Sequence, residues 1–199
     1  MTTAVADAPK VYTEADLLAM PDDGVERWLI RGQLREKPSE YPGVKMTVRN
    51  RHHCNVMSFI TATLTNWSRT QPKPRGQVYC GEAGVRLHGS EGTTVGVDVV
   101  YAPPEVVAVQ SDDETTMIDG VPTLAVEILS PNDTVEQIDE KVDEYLTAGV
   151  PLVWIVHTHR QTVTVYRPDQ PAALFNITQR LIEHPAMPGF APAVAELFE

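Results

Sequence analysis

A chain of 199 residues that is 42% hydrophobic can bury one sizeable core, and no stretch of it reaches the roughly 18 to 20 uninterrupted apolar residues of a membrane span. The net charge of −11 excludes a protein that coats nucleic acid through a uniformly basic surface, and the two cysteines, Cys54 and Cys80, lie outside any CxxC pair, which excludes a zinc knuckle or a disulfide scaffold. The first nine residues have no charged start followed by an apolar segment, so a cytoplasmic, soluble protein is expected.

Residues 1–10 lack apolar periodicity and read as a flexible tail, which leaves 11–199 as one domain. Thr13 to Asp16 has the form of a capping box and opens a short helix that ends at Pro21. Residues 28–30 and 33–35 flank Arg31-Gly32 as a hairpin in which Gly32 supplies a positive φ, and period-two alternation puts Glu26 and Trp28 on one face.

From about Asn50 the spacing changes to 3.6. Val56, Phe59, Ile60, Leu64 and Trp67 predict a helix of several turns to about Arg69. His52 and His53 fall in its first turn, where they are either core-edge imidazoles or contacts to a phosphate at the positive helix end. Around this helix, residues 45–86 carry seven basic residues against one acid, Glu82. Arg49, Arg51, Arg69, Lys73 and Arg75 are therefore candidates for a DNA-binding face, against the plainer reading of an ordinary solvated surface.

Residues 77–87 predict a strand with a bulge near Gly81 and Gly84. The β-branched run at 95–101 has a single acid, Asp98, at its centre. Val106 to Val109 is read as an extension of the sheet, and 111–119 as an acidic loop. A second short apolar run, Leu124 to Leu129, is bounded by prolines and contains Glu127. A carboxylate in such a run needs a partner. If the two strands are neighbours, Asp98 and Glu127 converge on one hard divalent cation.

The next helix is expected to start with Asp133 and Glu136 as its capping pair and to stop at Gly149. Its buried stripe is Val135, Ile138, Val142 and Tyr145, with Asp139, Glu140, Asp143 and Glu144 on the other faces. Lys141 lies beside the stripe as the best cation for Glu127. Strands at 152–156 and 162–167 then enclose a turn that exposes His157 and His159, and a loop and short helix at 194–198 close the chain.

Taken in order, Trp28-Leu-Ile-Arg-Gly-Gln-Leu34, the histidine-bearing helix, the Asp98 strand, Val126-Glu-Ile-Leu-Ser-Pro131, Lys141-Val-Asp-Glu-Tyr145, Val153-Trp-Ile-Val156 and Pro188-Gly-Phe190 resemble the Uma family. Its members are bacterial restriction-endonuclease-like proteins of the PD-(D/E)XK nuclease superfamily. The resemblance implies an α/β fold, a mixed sheet flanked by helices. It further implies a hydrolase that cuts DNA phosphodiester bonds with Mg²⁺ or Mn²⁺ held by Asp98 and Glu127. The lysine that normally stands two residues after the second acid is replaced by Leu129, and Lys141 matches the family's helix-borne lysine. Trp28 stands where the hairpin commonly has an acid, which makes Glu26 its accessory substitute, and Val97 and His157 stand where Pro and Asp are usual. A homodimer is expected from the need to cut two strands. The competing readings are an inactive nuclease-like scaffold that binds DNA or a protein partner, and a purely structural Glu127–Lys141 ion pair.

Overall fold

The computed structural model describes residues 10–37, 50–88, 92–110 and 116–199. Its centre is a nine-stranded mixed sheet built from β1 (Arg27–Ile30), β2 (Gln33–Glu36), β3 (Gln77–Arg86), β4 (Thr94–Ala102), β5 (Ile118–Asp119), β6 (Leu124–Ile128), β7 (Leu152–His157), β8 (Thr162–Arg167) and β9 (Gln170–Asn176). The main path runs β2-β1-β4-β6-β7-β8-β9, with β3 paired to β4 and β5 paired to β3. Among the described residues four α-helices accompany it: α1 (Glu14–Leu18), α2 (Arg51–Thr70), α3 (Pro104–Ala108) and α4 (Val135–Thr147). Among the described residues no helix is long and apolar enough to cross a membrane.

Both faces of the sheet's middle are covered, which is why β6 and β7 read as mostly apolar runs, with Glu127 the exception inside β6. Leu124, Val126 and Ile128 pack with Val56, Ile60 and Leu64 of α2. Their neighbour Ala125 joins Val142 and Tyr145 of α4 in a second cluster with Val153 and Ile155. β6 and β7 are parallel, in register from Leu124↔Leu152 to Ile128↔Val156, with α4 as the crossover. The antiparallel β4 lies on the other side of β6, paired at Val99↔Val126, so the two acid-bearing strands are neighbours.

Asn50 caps α2 by accepting from the His52 amide, and the helix buries His53, Val56, Ile60, Leu64 and Ser68 at spacings of three and four. The buried stripe thus begins with the histidine itself. The hairpin turn has the two consecutive positive φ values of a two-residue primed turn, 48° at Arg31 and 73° at Gly32. Thr13 and Asp16 form the expected capping box.

Four expectations are corrected. Residues 106–109 do not extend the sheet, because Pro104 at the first helical position starts α3 instead. α4 is capped by Thr134 and Gln137, since Asp133 accepts the Ser130 amide at 2.6 Å and is unavailable as the cap. Val135 is 71% exposed because α4 begins burying side chains only at Lys141, whereas Glu144 is 4% exposed and accepts from Thr93 and pairs with Arg31. The closing helix is a single 3-10 turn, Val194–Leu197, and β9 is an edge strand whose mostly exposed residues give no apolar alternation to read.

Leu64 is fully buried beneath the sheet. Leu64→Ala is expected to lower the unfolding free energy by about 2 to 5 kcal/mol in urea denaturation, the range for truncating a core leucine.

Candidate metal and acid cleft

Around the middle of β4 and the end of β6, side chains from five parts of the chain line one small cleft. Among the described residues Glu26, Glu82, Asp98, Glu127 and Asp133 face it together with two ammonium groups, Lys37 and Lys141. The space left for the centres of water-sized spheres is about 10 Å³, enough for about one water or one small cation.

Glu127 is 6% exposed, and its neutralisation comes from α4. Lys141 Nζ donates to both carboxylate oxygens, at 3.2 and 3.0 Å, and to the Gly96 carbonyl at 3.3 Å. Tyr145 Oη donates to Glu127 Oε1 at 2.5 Å. Burial pushes the Glu127 carboxyl up to about 7, against the attraction of Lys141. Burial also works against the Lys141 charge, but Glu127, Glu26 and Glu82 outweigh it and hold the amine above its usual range. The lysine therefore keeps its charge, while burial weakens the acidity of its carboxyl partner. Trp28 adds its ring face 5.1 Å from Lys141 Nζ, a cation–π contact where the resemblance expects an acid.

Asp98 is held from the opposite side. His53 Nε2 lies 2.9 Å from Oδ1, and the Ile128 amide donates to Oδ2 at 2.7 Å. Burial alone would push the Asp98 carboxyl up, but the hydrogen bond and charge of His53, with further bonds from Glu82 and Ile128, bring it down to about 2. Glu82 reaches Asp98 from β3 because the β3–β4 register slips between Cys80 and Ala83, with positive φ at Gly81 and at Glu82 itself, 89° and 61°. A side chain at residue 96 would collide with it: a Cβ there would sit 2.8 Å from Glu82 Oε2. Donor atoms of His53, Glu82 and Asp98 all lie within 4.8 Å of one another. Ligands about 2.1 Å from a shared divalent ion sit roughly 3 to 4 Å apart, so this donor set fits a cation.

The sequence pattern of the Uma2 family, described as "Putative restriction endonuclease", matches residues 15–195. The chain belongs to that family. Among solved structures it is similar to a putative nuclease belonging to DUF820 from Anabaena variabilis ATCC 29413, with a TM-score of 0.73 at 18% identity over 94% of this chain and 97% of that one. No curated protein matches. At that identity the structural likeness shows a shared fold, the mixed sheet with flanking helices.

Within this Uma2 chain the structure brings together Asp98, Glu127, Lys141, Glu26 and His53, all in or beside the cleft. His52 turns outward and its ring lies 6.1 Å from that of His159. The basic candidates do not gather in one patch. Arg51 is exposed at the cleft end of α2, while Arg69, Lys73 and Arg75 are at or beyond its other end, roughly 27 Å away at 1.5 Å per residue. Arg49 lies outside the described residues. Three charged cleft residues escaped the sequence reading as site residues, Glu82, Lys37 and Asp133. The signal for Glu82 was present in the glycines that mark a bulge, since bulges collect beside active sites. Lys37 gave none, because its partners Asp133 (2.7 Å) and Glu26 (3.6 Å) meet it only in the fold.

Removing either partner of Glu127 leaves a buried carboxylate short of compensation. Lys141→Ala is expected to cost about 3 to 5 kcal/mol of stability and Tyr145→Phe about 1 to 3 kcal/mol, read from urea unfolding at about pH 9, above the range in which the wild-type Glu127 carboxyl takes up its proton. A Lys141→Ala protein as stable as wild type would show that Glu127 is protonated there and needs no cation.

Proposed function

We propose that the cleft hydrolyses phosphodiester bonds of DNA with a bound divalent cation, Mg²⁺ or Mn²⁺, making the protein an endodeoxyribonuclease. The observation that carries this reading is the convergence of five carboxylates and two lysines on a space the size of one ion, in a family of putative restriction endonucleases. When bound, the cation supplies positive charge to polarise a phosphate oxygen and to acidify a water.

The chain's own residues have separable tasks in this reading. Asp98, held ionised by His53 and the Ile128 amide, is the acid best prepared to receive the cation. Glu127 lines the same cleft as the second acid that the resemblance implies for the metal. With its carboxyl near 7, Glu127 can also accept a proton as an attacking water is deprotonated. Lys141, fixed by Glu127, the Gly96 carbonyl and the Trp28 ring, directs its ammonium at charge that develops on the phosphate. Glu26 is an accessory acid that strengthens the Lys141 charge. The exposed Arg51, two residues before the cleft histidine, is placed to hold a backbone phosphate at the positive end of α2. Two copies of the chain would present one cleft to each strand of a duplex.

The test is cleavage of supercoiled plasmid and short duplexes with Mg²⁺ or Mn²⁺. Wild type is expected to nick or cut, and Asp98→Asn to be slower by about two orders of magnitude or more, the effect of losing several kcal/mol of charge stabilisation. A wild type that cuts no DNA across varied substrates would leave the inert scaffold, which binds DNA or a protein partner, as the better account.

Duplex affinity is expected to fall steeply with salt, and Arg51→Gln to lower the slope of log K against log salt by about one unit. Fluorescence anisotropy over a salt series measures both.

A further inference from the structure

We infer that the DNA strand being cut passes from the cleft over the turn that joins β7 to β8, where His159 and Arg160, together with Arg51 and His52 at the start of α2, hold the phosphates that flank the reacting one. The inference rests on the proposed nuclease reading and adds a second element, from the far half of the chain, to the surface that grips the substrate.

Two acid-free stretches meet at this place. The chain has 27 acids in 199 residues, yet none of them falls in 41–81 or in 145–168. The first stretch contains all of α2, and the second contains β7, β8 and the turn between them. The fold brings their basic ends together: the rings of His52 and His159 lie 6.1 Å apart, and each histidine is next in sequence to an arginine, Arg51 and Arg160. All four side chains are exposed. Arg27, Arg31, Arg35, Arg86 and Arg180 each meet an acid, whereas among the described residues no acid pairs with Arg51 or Arg160. At the start of the same turn, burial and then the positive charge of Arg160 hold the His157 imidazole below its usual range. Positive charge thus collects here, within a chain of net charge −11, without an internal counter-charge, and such a surface attracts an external anion.

The patch is continuous with the cleft. β6 and β7 are parallel, and a ligand of such a sheet sits beyond the carboxyl ends of its strands. The Leu129 amide donates to the Val156 carbonyl at 2.9 Å, so the end of β6 that lines the cleft at Ile128 lies beside the residue that precedes His157. From α2, His53 reaches Asp98 in the cleft, and His52 is its neighbour in the chain. Arg69, Lys73 and Arg75, at or beyond the other end of α2, have no such connection. Phosphates of one strand succeed one another at about 3.4 Å along the duplex axis, so a patch whose histidines are 6.1 Å apart spans about two of them. The planar fork of an arginine matches two phosphate oxygens, and an imidazole N–H adds a further donor.

The test follows a labelled duplex of about two helical turns by fluorescence anisotropy over a salt series, with Ca²⁺ as the cation, on full-length wild type and on variants whose folding is checked by thermal unfolding. Arg160→Gln is expected to lower the slope of log K against log salt by about one unit, and combined with Arg51→Gln by about two. His159→Asn is expected to weaken binding by about two- to tenfold, the effect of one hydrogen bond. Hydrogen exchange of wild type needs no variant to fold: the duplex is expected to protect the amides of 157–161 and to leave those of 69–75 unprotected. A bound duplex that gives no protection at 157–161 overturns the inference, as does a slope lost in Arg69→Gln and kept in Arg160→Gln, and both results leave the nuclease reading standing. A wild type that binds no duplex also overturns it. Plasmid cleavage by the same preparations tests the nuclease reading separately. The expected slopes and protection in a protein that cuts no DNA support this surface and remove only the nuclease reading.

Discussion

A carboxylate carried by a strand that is buried on both faces has to be neutralised from outside the sheet, and here Lys141 does this from α4. The bond joins β6 to the helix that returns the chain to β7, so the crossover of the parallel pair is fastened at its middle by charge as well as by Val142 and Tyr145. Everything near the pair is arranged for its cation: a backbone carbonyl at Gly96, the face of Trp28 and the field of Glu26 and Glu82. Such a pair seldom adds net stability compared with apolar residues of the same size, because desolvation costs about as much as attraction returns. Its retention in an otherwise apolar layer is therefore better accounted for by chemistry than by stability.

The other half of the cleft shows the same pattern of locally costly choices. Glu82 occupies a left-handed backbone conformation that a non-glycine residue adopts at some expense, and it does so where the β3–β4 register slips. The slip brings its carboxylate to Asp98, which is buried and already satisfied by His53 and Ile128. Departures of this kind, concentrated in one place, distinguish a site from a core.

Elsewhere the strong negative charge is absorbed by pairs that tie peripheral elements to the sheet. Arg35 binds Glu140 and links the hairpin to α4, Arg86 binds Glu14 and anchors α1, and Arg31 with Thr93 satisfies the buried Glu144. Arg86 also lies 3.2 Å from Asp119, so it is not a free phosphate contact. Among the described residues, the basic side chains of 45–86 other than Arg86 are divided between the two ends of α2.

Local pattern was enough to read much of this protein. The apolar runs around Asp98 and Glu127, the 3.6-residue spacing of α2, the hairpin at Arg31-Gly32 and the placement of Lys141 beside a helical stripe depend on neighbours within a few residues, and the fold contains each of them. The sheet order that sets β4 against β6, and with it the meeting of the acids, was an assumption until the antiparallel register from Val99↔Val126 was seen. Pairings across long separations were not legible. Lys37 meets Asp133, His53 meets Asp98 and Glu144 meets Thr93 only because distant elements pack, and no spacing rule encodes those contacts. The sequence by itself determined that two acids must be buried and that a lysine stood ready for one of them. Tertiary structure decided that the other acid, Asp98, meets a histidine and a bulged glutamate, because the direction of a buried side chain depends on the twist and register of strands that meet far along the chain.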